Sequence, residues 1–145
     1  MPELRRDPVV GYWTIISTER GRRPVEYRQK ETQEETAACP FCEGQEAETT
    51  QEIFAVRKKG TSPDKPGWQV RAFLSKIPIL SNKKPQVDCY GLGLYDAMDG
   101  VGQHEIVVES PKHKHDLDEL TLSEIEKVIG AYVSRFRELR RDKQP

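Results

Sequence analysis

Hydrophobic and polar positions fall into two regimes: short clusters of β-branched and aromatic residues through most of the chain, and one long helical repeat near its end. PVVGYWTIIS (residues 8–17), EIFAVRK (52–58), GWQVRAFL (67–74) and HEIVVES (104–110) each concentrate such residues and predict four strands. Ile106, Val107 and Val108 are consecutive in the last, as expected of a strand covered on both faces. Between the second and third strands, KGTSPDKPG has the Gly and Pro content of a hairpin-like turn. YRQKETQEETAA (27–38) has almost no apolar residue and reads as a solvated connection. SNKKPQVDCYGLGLYDAMDGVG (81–102) has no clean period and several glycines, so it reads as a loop holding Cys89 as a small buried hydrophobe.

The helix is the clearest element. Thr121 and Glu124 form a T-x-x-E capping box, after which Leu122, Ile125, Val128, Ile129, Tyr132, Val133, Phe136 and Leu139 recur at helical spacing. Strands followed by one long helix indicate an α+β fold, an antiparallel sheet with the helix packed on one face.

Composition narrows the function classes. At 145 residues the chain has the length of one ordinary domain. Its mean hydropathy is −0.76, which points to a thin core. Charges nearly cancel, with 23 Lys plus Arg against 24 Asp plus Glu, so no global field recruits nucleic acid or a membrane. No apolar run approaches the roughly 20 residues of a membrane span, and MPELRRDP does not resemble a signal peptide, so a cytoplasmic protein is expected. Three cysteines in such a chain read as reduced thiols or metal thiolates rather than a disulfide framework.

Two of them sit in CPFCEG (39–44), and C-x-x-C places two thiolates where they can chelate one ion. A thioredoxin-like redox pair is the competing reading, but it needs the first cysteine to open a helix after a strand, whereas a polar loop precedes Cys39. Pro40 and Gly44 give the tight shape a chelating knuckle needs, and zinc is the usual occupant of such a site. Further ligands are sought among His104, His113 and His115, the three histidines of the chain; His113 follows Pro111 in the turn after a predicted strand. Arg20, Arg22 and Arg23 form a second cluster, in TERGRRP, where guanidinium forks suit phosphate oxygens although such a run is commonly just solvated.

Taken together, RDPVVGYWTIISTERGRRP, CPFCEG, EIFA, PGWQVR and GLGLYDAMDGVGQHEIVVESPKH closely resemble the N-terminal half of the galactose-1-phosphate uridylyltransferase family, a branch of the histidine triad superfamily. The resemblance runs in order over nearly the whole chain and implies that residues 1–145 are an N-terminal domain of a hexose-1-phosphate uridylyltransferase. The implied fold is a truncated histidine-triad-like antiparallel sheet with a helix on it. It further implies structural zinc on Cys39, Cys42 and His113, and phosphate contacts from Arg20 and Arg23 to the neighbouring subunit of a homodimer. The family's uridine-pocket segment, usually V-P-N-K-F-P, here reads FLSKIP, which makes Ser75 and Lys76 the nucleotide-binding candidates and replaces an asparagine amide by a shorter hydroxyl.

Family members use an H-x-H-x-Q motif whose first histidine completes the zinc site and whose second attacks the α-phosphate of UDP-glucose before UMP passes to galactose 1-phosphate. No H-x-H-x-Q occurs in these residues; the one H-x-H, His113 to His115, is followed by Asp116 and Leu117. The expectation is therefore a chain with no catalytic nucleophile of its own, inactive alone. The alternative is a non-catalytic zinc-binding module that dimerises or complements a separate C-terminal half.

Overall fold

A computed structural model describes residues 2–17, 39–82, 88–113 and 116–141. The described residues fall into two compact units, one built from residues 2–17, 77–82 and 88–104, the other from 39–76, 105–113 and 116–141.

The first unit is a four-stranded antiparallel sheet. It contains β1 (Glu3–Arg6), β2 (Trp13–Ile16), β5 (Cys89–Leu92) and β6 (Tyr95–Asp99), in the order β2-β1-β6-β5. The strand expected over 8–17 is thus shorter, and a turn precedes it. Asp7 makes that turn: its Oδ1 accepts from the Val9 and Val10 N–H groups at 2.8 and 2.9 Å, and its carbonyl from Gly11 at 2.9 Å. The segment read as a loop around Cys89 is in fact the β5–β6 hairpin. Leu92 pairs with Tyr95, leaving Gly93 and Leu94 as a two-residue turn, and Gly93 takes the φ of +63° that the first position of a tight hairpin turn requires. Cys89 is exposed on the edge strand, not buried.

The second unit carries the helix. β3 (Glu52–Arg57), β4 (Trp68–Leu74) and β7 (Glu105–Val108) form an antiparallel sheet in the order β3-β4-β7, and α1 (Leu122–Leu139) packs on it. β4 is paired on both sides, and Trp68, Val70, Arg71, Ala72 and Phe73 are all buried along it. Val70 meets Leu120, Val128 and Ala131 in the hydrophobic core, with Phe54, Val56, Val107 and Ile125 packed around them. Arg71 and Phe73 point the other way by strand alternation. Phe73 stacks on Phe41 of the cysteine knuckle at 6.2 Å between ring centroids.

α1 begins where the sequence places it. Thr121 Oγ1 accepts from the Glu124 N–H while Glu124 Oε2 accepts from the Thr121 N–H at 2.8 Å, so the capping box is closed in both directions. Arg135 then donates two bonds, 2.9 and 2.8 Å, to the Glu105 carboxylate and fixes the C-terminal part of the helix to β7. Among the described residues no helix is long and apolar enough to cross a membrane.

Candidate metal centre

The cysteine knuckle begins with a tight turn, in which the Cys42 N–H donates to the Cys39 carbonyl at 3.1 Å. The chain then reverses through Gly44, whose φ of +94° is the left-handed conformation that a side chain would strain. The knuckle is tied to the segment after β7 by one backbone bond, from the Glu43 N–H to the Pro111 carbonyl at 2.9 Å. Two residues on from Pro111 stands His113. This short link is why residues 71 apart in sequence meet: Cys42 Sγ and His113 Nδ1 are 3.6 Å apart.

Cys39, Cys42 and His113 offer one ligand atom each, all within 4.8 Å of one another, and they are the group able to hold a metal ion among the described residues. The geometry fits the donor set. Zn–S of about 2.3 Å and Zn–N of about 2.0–2.1 Å at a tetrahedral angle require S and N to be separated by roughly 3.5–3.6 Å. Burial, reinforced by the neighbouring Cys39 thiol, pushes the Cys42 thiol up. A bound cation would overcome that shift by taking the thiolate directly.

Beside these three ligands lies a cleft of about 590 Å³, lined by Cys39, Phe41, Cys42 and His113 on one side and by the run from Ile106 to Ser110 on another. Within the described residues β7 is the edge of its sheet, and three of its residues, Ile106 to Val108, line this space.

The other candidates lie elsewhere. His104 accepts from the Ile79 N–H at 3.3 Å and is outside the ligand cluster. Ser75 and Lys76 follow the end of β4 and do not line the cleft; the Lys76 ammonium donates to the Glu48 carbonyl. Arg20, Arg22, Arg23 and His115 fall outside the described residues.

Glu46 was not evident from sequence. Its side chain is only 7% exposed, and Oε1 accepts from Trp68 Nε1 at 2.7 Å and from the Gly44 N–H at 3.0 Å. Burial alone would raise its pKa, but these bonds together with the Arg71 charge hold it below the usual carboxylate value. Glu46 is one of two acids in the polar run GQEAET, which carries no pattern that marks it; the one available clue was a tryptophan 22 residues on that needed a partner for its N–H.

An antiparallel α+β unit with a Cys-x-x-Cys knuckle closed by a distant histidine defines a class of domain with a ligand cluster able to hold a metal ion. The sequence profile described as Galactose-1-phosphate uridyl transferase, N-terminal domain, matches residues 1–145, and the chain belongs to that family. An ADP-glucose phosphorylase of Arabidopsis thaliana is 34% identical over 143 residues, covering 95% of this chain and 39% of the relative. A galactose-1-phosphate uridylyltransferase of Thermotoga maritima is 28% identical over 139 residues, covering 96% of this chain and 36% of the relative. The crystal structure of the Arabidopsis thaliana ADP-glucose phosphorylase with bound ADP-glucose superposes with a TM-score of 0.55 at 28% identity, covering 99% of this chain and 39% of that one. The chain thus spans well under half the length of these relatives.

Proposed function

We propose that residues 1–145 form a zinc-holding scaffold domain of a nucleotide-sugar transferase, which contributes binding groups but no nucleophile. The observation that supports this reading is the convergence of the Cys39, Cys42 and His113 ligand atoms within 4.8 Å of one another, with Cys42 Sγ and His113 Nδ1 at 3.6 Å, the separation a tetrahedral ion needs. Zinc there would clamp the knuckle to the turn after β7, a structural role that adds folding free energy.

The relatives' names support a substrate class, one pointing to an ADP-sugar and the other to a hexose 1-phosphate that takes up a uridylyl group. Both are nucleoside diphosphate sugars or their sugar-phosphate partners. In this proposal Arg20 and Arg23 hold phosphate oxygens, within a homodimer as the family resemblance implies. Ser75 and Lys76 contact the nucleotide, and the serine in the asparagine position relaxes selection for uridine. UDP-glucose and galactose 1-phosphate are then substrates of the complete catalytic assembly, located in the cytoplasm.

The test is turnover. The purified chain is incubated with UDP-glucose or ADP-glucose and a hexose 1-phosphate or inorganic phosphate, alone and with a second polypeptide carrying the family's H-x-H-x-Q segment. The chain alone should give no nucleotidyl transfer, and mixing should restore it. Transfer above background by the chain alone would contradict the proposal.

A further inference from the structure

The knuckle does not hang from its backbone alone; two glutamates fasten it to the start of β4. Glu43 Oε1 accepts from the Gly67 N–H at 2.6 Å. Deeper in, the single atom Oε1 of Glu46 accepts from both Trp68 Nε1 and the Gly44 N–H. Trp68 is 1% exposed and cannot shift without disturbing the sheet, so it serves as a fixed post. Gly44 is the residue at which the chain reverses, two positions after Cys42. A buried carboxylate thus bridges a rigid core side chain and the backbone that sets where Cys42 points.

We infer that Glu46 is a positioning residue for the metal centre, holding the C-x-x-C knuckle in chelating shape before any ion binds. The inference rests on the metal-binding reading above. Its physical basis is preorganisation: a knuckle already fixed loses less conformational freedom when it takes the ion. Because one oxygen receives both bonds, glutamine can replace glutamate without losing either, since its amide oxygen has two lone pairs. Alanine leaves the Trp68 indole N–H and the Gly44 N–H without their acceptor.

The experiment measures zinc affinity by competition with a chromophoric chelator, and records the charge-transfer and ligand-field spectrum of the cobalt(II) form at saturation. The full chain, E46A, E46Q and V128A are compared. Val128 lies on the buried face of α1, in the core with Val70, Leu120 and Ala131, so V128A reports what simple destabilisation does. The expected result is a zinc affinity about 10–100-fold weaker in E46A, with an altered cobalt spectrum, as for residues that support metal ligands from behind. E46Q should stay within about threefold of the unsubstituted chain and superimpose on its spectrum, and V128A should leave both readouts unchanged.

Should E46A fail to fold, W68F removes the indole donor, together with part of the buried ring, and is expected to weaken zinc about 10-fold. Native zinc affinity and cobalt spectrum in folded E46A, or in W68F where E46A does not fold, would overturn the inference while leaving the metal site standing. An equal loss in E46Q and E46A would overturn it too, because charge rather than the shared acceptor would then be responsible. If the unsubstituted chain bound neither metal, the metal-binding reading itself would fall, and the inference with it.

Discussion

Glu46 illustrates how a single buried acid couples folding to pH. Its folded pKa is depressed by N–H donors and by Arg71, so the carboxylate stabilises the fold above the unfolded pKa, and that contribution is lost as pH falls through the lower, folded value. In metal-free protein, the thermal midpoint should therefore drop on acidification below about pH 4.5 more steeply in the native chain than in E46Q, whose amide does not titrate. Parallel pH profiles of the two would contradict the assignment. At this scale Cys39 and Cys42 were legible because cysteine spacing is a covalent fact of the sequence. Which histidine closes the site was not: His104 and His113 flank the same strand, and residues alone left the choice open until the family resemblance pointed to His113. Structurally, the backbone bond from Glu43 to Pro111 brings His113 to the knuckle.

At the scale of elements, α1 is held by its cap and by one ion pair. The Glu105 and Arg135 side chains are 7% and 15% exposed, so each depends on the other for its solvation. Arg135→Ala should destabilise the chain by about 3–5 kcal/mol, because it strands a buried carboxylate. Thr121→Ala should cost about 1 kcal/mol through the lost cap. Urea midpoints at constant m-value would check both, and equal losses would contradict the burial argument. Tyr132 adds a third tie, donating to Glu109; burial and that carboxylate push its phenol up to about 12. The helix was legible because its cap, period and length agree. β1 was not, since ELRR offers a single large apolar residue and becomes a strand only by pairing with β2 and β6. The β5–β6 hairpin was missed for a related reason: its glycines look like loop composition, yet Gly93 is what permits the tight turn.

Over the whole molecule, the metal centre stands out as a long-range contact. An ion shared by Cys42 and His113 closes a loop of 71 residues, which a chain with a thin core would otherwise close by packing alone. Such a link fixes the folded state, so bound metal should raise the stability of the fold and its removal should lower it. This also explains how a chain covering 39% and 36% of its relatives keeps a formed ligand cluster: all three ligands lie within the second compact unit. Native mass spectrometry of the purified chain, with and without a chelator, tests the central claim most directly. The account predicts one zinc ion per chain, removed by the chelator and missing from Cys42→Ser and His113→Ala. A folded chain that carries no metal, or variants that keep it, would contradict the account.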